Sequence, residues 1–301
     1  MRRMSEKGSL DTAGACPGGD PPSSSLSTGE AGVWNARACI RWPGAFIILK
    51  PWFTCPLSSE EAEPVKSMLI YGATGKAGRL VMERAVEAGY AVSAFVRNPD
   101  RVPAALRSRV TIVKGDLCDA SAVTAAVKSS RPDVIVDASS ALPFGHARGQ
   151  PANNADRATL TRATVSALEA EGRLGDCVFL IVGGQLVPEP GGTIHSWSVA
   201  AMAWFLRTVV ARKALREATE LLAWCFQQAP PTFRFVYARM GYMVEEPSRG
   251  SLRAEPTRNN IQHGRVSYAD VADAFVRLAG DEGRTWERKA LFFNYERPAT
   301  P

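Results

Sequence analysis

Long apolar runs are missing from this chain of 301 residues. The nearest candidate, Ala45 to Phe53 (AFIILKPWF), is broken by Lys50 and Pro51 and falls well short of the ~20 residues a membrane-spanning helix needs. Clustered cysteines are missing as well. Cys16, Cys39, Cys55, Cys118, Cys177 and Cys225 are widely spaced and no two form a CxxC pair. Neither a disulfide framework nor a zinc site is expected from them; reduced thiols in a cytoplasmic compartment are. Histidine is scarce: His146, His195 and His263 stand too far apart for a local metal motif, so no metal is expected. Basic runs of five or six residues are absent, which removes the usual mark of a nucleic-acid partner. A small molecule is left as the expected partner.

What is present is ordinary globular composition, 46% apolar and 22% charged, enough for one sizeable domain or two small ones. The net charge is +6. Residues 1–67 carry seven Lys/Arg and seven Asp/Glu, so the whole surplus lies downstream, where it suits an anionic ligand. That first segment includes GACPGGDPPSSSLSTGEAG, rich in Gly, Pro and Ser and without periodicity. It is expected to be a disordered extension. Its start, MRRMSEKGSLDTAG, lacks the apolar core of a signal peptide, and Glu6, Asp11 and Asp20 speak against an organellar transit peptide. Met68 directly precedes the first apolar run, as an initiating residue would, and little function is expected ahead of it.

From Met68 to the end, apolar runs alternate with longer helical patterns. MLIYGA, AVSAFVR, RVTIVKGD, PDVIVDASS, DCVFLIVGG, FRFVYARMG and KALFFNY read as strands. Between them, AGRLVMERAVEAG, ASAVTAAVKSS, NADRATLTRATVSALEAEG, the region from about Ser196 to Gln228 and SYADVADAFVRLAG read as helices. Near-continuous apolar strands joined by crossover helices predict an α/β fold, a doubly wound (Rossmann) parallel sheet over 68–301 with a small substrate-side region near its C-terminus.

The first strand runs into YGATGKAGRL, a GxxGxxG pattern at Gly72, Gly75 and Gly78. The first glycine lets the chain leave the strand sharply, the second admits a diphosphate to the backbone, and the third lets helix and strand pack closely. The helix start then offers unpaired N–H groups to phosphate oxygens. Gly72, Thr74, Gly75, Lys76, Ala77 and Gly78 are the candidate cofactor contacts. The spacing around Lys76 is not that of a Walker loop. At the end of the second strand, 19 residues beyond Gly78, stands Arg97. NAD-preferring sites carry an acid at this place; an arginine, with Arg101, Asn98 and Lys76 near it in sequence, predicts NADP over NAD.

With these residues in place, the chain from Met68 to about Tyr295 resembles the short-chain dehydrogenase/reductase superfamily, in its atypical branch of NmrA-like and biliverdin/flavin-reductase-like proteins. GATGKAG, VRNPDR, GDLCD, VDASS, FRFVYARMG and VSYADVADAF follow one another in the family's order. The resemblance implies that Asp116 and Leu117 flank the adenine and that Ala138, Ser139 and Ser140 line the cofactor after the fourth strand. Read by itself, Asp116 also suits a cap for the helix that follows.

The departures from the family bear on chemistry. Active main-branch members carry Tyr-x-x-x-Lys with an upstream serine, and the lysine helps the phenol pass a proton. Here Lys213 stands in the lysine's place, but Val209 precedes it by four residues, and Gly183 and Gly184 occupy the serine's place. The resemblance implies a role for Lys213 at the nicotinamide ribose or the substrate; its sequence neighbour Glu217 equally suits an ordinary helix-surface pair. His195 and His146 lie in long loops and are the groups there suited to proton transfer near neutral pH. Trp197, Trp204 and Phe205 suit an apolar substrate wall or helix packing, and Glu245 to Asn260 a polar lid. These features predict an NAD(P)H-dependent oxidoreductase reducing a quinone, flavin or carbonyl acceptor. The alternatives are a non-catalytic NADP(H) sensor and an NAD-dependent epimerase or dehydratase.

Overall fold

The structure, a computed structural model, describes residues 65–139, 157–187, 189–190, 212–256, 265–280 and 285–295, with short pieces at 40–42, 45–47, 201, 204–205 and 208. The chain divides into two units, Met1–Glu61 and Ala62–Pro301. In the first, β1 (Ile40–Trp42) and β2 (Ala45–Ile47) form an antiparallel hairpin, an element that the Gly/Pro/Ser-rich composition of residues 1–67 does not foretell.

In the second unit the strands are β3 (Ser67–Tyr71), β4 (Ala91–Val96), β5 (Thr111–Lys114), β6 (Val134–Asp137), β7 (Val178–Gly184), β8 (Phe235–Met240), β9 (Tyr242–Val244), β10 (Leu252–Glu255), β11 (Arg265–Ser267) and β12 (Lys289–Tyr295). The helices are α1 (Lys76–Glu87), α2 (Ala104–Arg107), α3 (Ala120–Ser130), α4 (Arg157–Ala170), α5 (Arg212–Gln227) and α6 (Tyr268–Ala279). One sheet runs β10-β12-β8-β7-β6-β3-β4-β5. Every neighbouring pair in it is parallel except β10 with β12. The predicted doubly wound sheet is therefore the observed one. Its order reverses between β3 and β6, and at such a switch point the loops leaving the strands diverge and open a crevice at their carboxyl ends.

The two-residue period of the strands sorts the core into two layers. Met68 and Ile70 face the cluster built with Val81, Met82, Ala85 and Phe275 of α1 and α6. Leu69 and Tyr71 face the other, with Val127, Leu160 and Leu222 of α3, α4 and α5. Helix α1 earns its place by burying Ala77, Gly78, Val81, Met82, Ala85 and Val86 on one stripe. Gly89, in left-handed conformation with φ +85°, lets the chain turn back into β4.

One expectation changes on folding. Within the polar segment expected as a lid, Leu252–Glu255 is the antiparallel edge strand β10. Its short run buries Leu252 and exposes Arg253 and Glu255, the charged composition edge strands use against further pairing. Trp204 and Phe205, expected to wall a substrate or pack the helix, are exposed; Trp197 lies outside the described residues.

Asp270, near the start of α6, ties this region down. It accepts hydrogen bonds from the Arg249 N–H, 3.0 Å away, and from the Ser248 and Tyr295 hydroxyls. Burial alone pushes its carboxyl upward, but these donors and the Gly250 N–H together hold it below the ordinary carboxylate range. A depressed folded pKa contributes stability that is present above the unfolded value of about 4 and is lost as pH falls through the folded one. Asp270→Asn is therefore expected to be less stable than wild type at neutral pH and to lose less stability between about pH 5 and pH 3. Urea unfolding across that range checks it; parallel acid losses in the two proteins would refute it.

Candidate functional site

The site is built from the carboxyl ends of β3, β4, β6, β7 and β8. Gly72 leaves β3 with φ +71°, and a Cβ on it would lie 2.9 Å from the Ser139 nitrogen and 3.0 Å from the Ala138 carbonyl. The first turn thus sits directly against the backbone that leaves β6. A Cβ on Gly78 would fall 2.2 Å from the Gly72 oxygen, and one on Gly75 3.1 Å from the same atom. Gly75 caps α1 in extended conformation, and its N–H donates to Gly72 over 2.9 Å. Among the described residues no side chain caps α1, and no acid stands in its first turn. Its leading N–H groups and positive dipole end are therefore available to an anion. A cradle that side chains would fill, walled by uncapped amides, fits the diphosphate of a dinucleotide.

Lys76 begins α1, and its ammonium is 2.5 Å from Glu245, just beyond β9. Glu245 draws its pKa upward, mainly through that hydrogen bond. The charge expected at the turn is thus shared with a carboxylate that sequence reading did not connect to it. Arg97 follows β4, exposed, with no hydrogen bond or ion pair among the described residues. Asn98 uses its side-chain oxygen to cap the 3-10 turn Pro99–Arg101, accepting from the Asp100 N–H at 2.9 Å, and Arg101 is exposed. After β5, Asp116 accepts from the Cys118 N–H at 2.9 Å. The cap of α3 is instead Asp119, which accepts from Ser121 and Ala122. An Asp two residues before another amide closes its own local turn, so the aspartate three positions later takes the helix. Leu117 is buried in the layer shared by Tyr71 and Phe95.

The end of β6 holds residues that spacing did not single out. Asp137 is fully buried and accepts from Nε and Nη2 of buried Arg157, at 2.9 and 2.7 Å. Arg157, the first residue of α4, also donates to the Val182 carbonyl at 2.8 Å. Burial works against the Arg157 charge, yet its neighbours, Asp137 foremost and Tyr237 with it, together raise the pKa. The other Asp137 oxygen accepts from the Ser139 amide at 3.0 Å and from its hydroxyl. The signal available in sequence was an acid ending the apolar strand VIVD, which demands a cation; which one it takes is decided by α4 crossing over β6.

At the ends of β7 and β8, Gly183 pairs in register with Arg239, and Arg239 with Phe292 of β12. A Cβ on Gly183 would meet the Tyr237 ring at 2.2 Å and its hydroxyl at 2.5 Å. The glycine in the serine's place is thus the one residue type that leaves room for the tyrosine of the next strand. Burial raises the Tyr237 pKa. Lys213 lies in the first turn of α5. Ser140, His146 and His195 lie outside the described residues. Among the described residues, no helix is long and apolar enough to cross a membrane.

Comparison with known proteins bears on this arrangement. Anaerobilin reductase ChuY from Escherichia coli O157:H7 is 24% identical, with a TM-score of 0.55 over 78% of this chain and 100% of that one. A short-chain dehydrogenase/reductase from Veillonella parvula, solved with NADP, is 15% identical, with a TM-score of 0.55 over 78% and 99%. A Rossmann-fold NAD(P)-binding protein from Shigella flexneri is 14% identical, with a TM-score of 0.52 over 79% and 100%. These likenesses establish the fold. The profile of the NAD(P)H-binding family matches residues 72–282, the span that begins at the first glycine of the turn, and the chain belongs to that family.

Proposed function

We propose that this protein is an NADP(H)-preferring oxidoreductase that reduces a small quinone, flavin or carbonyl acceptor. The observation carrying this reading is the first turn: Gly72 and Gly78 leave no room for a Cβ and Gly75 little, and the turn opens a helix that no described side chain caps. In it, the amides from Gly72 to Gly78, with Thr74, Lys76 and Ala77, hold the diphosphate. Asp116 and Leu117 flank the adenine, and Ala138, Ser139 and Ser140 line the path to the nicotinamide. The bound coenzyme supplies hydride; the chain binds and orients the reactants. Lys213 positions the ribose or the acceptor, and the proton comes from His195 or from water.

Arg97 selects the 2′-phosphate. A charge-assisted hydrogen bond contributes about 1.5–3 kcal/mol, so Arg97→Ala is expected to weaken NADPH about 10- to 100-fold while leaving NADH unchanged. Fluorescence titration with both coenzymes reads this, and retained selectivity would refute the assignment.

NADPH oxidation with quinones, flavins and aldehydes tests the activity. Turnover that drops in Lys213→Ala or His195→Ala supports the oxidoreductase. One observation favours a second reading, a non-catalytic NADP(H) sensor: Gly183 brings no hydroxyl to the end of β7, and Tyr237 fills its space. Tight coenzyme binding without turnover on any acceptor would establish the sensor.

A further inference from the structure

Two buried guanidinium groups flank Gly183, and they differ in one respect. The Arg157 fork, Nε and Nη2, closes on the Asp137 carboxylate. The same fork of Arg239, on a side chain 5% exposed, has no hydrogen-bond partner among the described residues. Glu189 lies 2.9 Å from Nη2 and supports the Arg239 charge against burial, as an ion pair without a well-formed hydrogen bond. The Tyr237 hydroxyl, which feels both arginines, is likewise buried without a hydrogen-bond partner among the described residues. Among the described residues five buried side-chain polar atoms lack a hydrogen bond, and three of them are Tyr237 OH and Arg239 Nε and Nη2. Buried donors are nearly always satisfied, because an open one forfeits its hydration. A concentration of them at the carboxyl end of a parallel sheet marks a place for an acceptor-rich ligand.

We propose that Arg239 is the receptor for a carboxylate on the acceptor, with Glu189 as its displaceable counter-ion and Tyr237 as an adjoining donor. This rests on the reading of an acceptor site above and narrows it to carboxylate-bearing acceptors. The Phe292 ring covers the guanidinium, 4.7 Å from its centroid to Cζ, and leaves the Nε–Nη2 edge to engage both oxygens of a carboxylate. Glu189 is able to leave, since its side chain is 38% exposed and returns to water when displaced. Exchange of one monoanion for another keeps the buried charge balanced, whereas a phosphate dianion would add an uncompensated charge.

Calorimetric titration of the whole protein with benzoate, benzamide and phenylphosphonate tests this without any turnover. Benzoate is expected to bind better than either isostere. Arg239→Gln should weaken benzoate by about tenfold or more, the loss of one charge-assisted bond or two, and Glu189→Gln should strengthen it. The second variant alters a half-exposed side chain and keeps the test decisive if the first fails to fold. Equal binding of benzoate and benzamide, tighter phenylphosphonate, or benzoate affinity indifferent to Glu189→Gln would each overturn the proposal. Titration of the same protein with NADPH separates the failures. Loss there sinks the oxidoreductase reading, whereas intact NADPH binding with no benzoate preference sinks only the Arg239 site.

Discussion

Gly78→Val is expected to abolish measurable NADPH binding and to lower stability by about 1–3 kcal/mol, the usual cost of overpacking. The new Cβ would lie 2.2 Å from the Gly72 oxygen, 2.8 Å from its carbonyl carbon and 3.0 Å from the Ala73 Cα. All three are backbone atoms, so no rotamer change relieves the clash. The turn has no retreat on its other side, where Gly72 already touches Ser139 and Ala138. Helix α1 must therefore move away from β3, and its leading amides lose their aim at the diphosphate together. A shift of about one ångström is enough to disable an oriented set of donors. Gly175→Ala is the control, because a Cβ there meets nothing within 4 Å; it should leave both affinity and melting temperature unchanged. Near-normal NADPH affinity in Gly78→Val would refute the close-packed turn.

The second large effect is expected at the buried pair beneath the β6 turn. Arg157→Met leaves the Asp137 carboxylate, 0% exposed, with the Ser139 amide and hydroxyl as its remaining donors among the described residues. Breaking a buried pair from one side costs about 3–5 kcal/mol, because the remaining charge keeps its desolvation penalty. Replacing both partners by apolar residues of similar size, Asp137→Leu with Arg157→Met, is expected to recover much of that loss. Coenzyme affinity should not recover with it. Asp137 also fixes Ser139, whose amide packs on Gly72, so the double variant is stable but has lost the support of the turn. Urea unfolding and NADPH titration on the single and double variants separate the two effects. A cost under about 1 kcal/mol for Arg157→Met would show the pair to be dispensable.

Much of this architecture is legible in residues alone. Strand and helix follow local periodicity, so MLIY, VIVD and FVYARM declare themselves without a partner strand. Gly75 and Gly78 are legible for the same reason, since their constraint acts between residues at most six positions apart; Gly72 shares the pattern but is also confined by Ser139 and Ala138 across the sheet. Arg97 is placed by counting along the chain, because the length of one βα unit sets where β4 ends. Even so, local reading chose Asp116 for the α3 cap, although Asp119 takes it, since both satisfy the same short-range rule.

The pairings that give the site its character lie beyond that range. Asp137 finds Arg157 because α4 crosses over β6; Arg239 finds Glu189, and Tyr237 the space at Gly183, because β8 lies beside β7. Lys76 meets Glu245 across most of the domain's sequence. By itself the sequence determined which segments form strands and helices and where the glycine cradle stands, because backbone conformation and burial period are local properties. Only the tertiary structure decided which charges are paired, and which guanidinium edge is left open, because strand order brings those groups together and desolvation acts on the groups that meet.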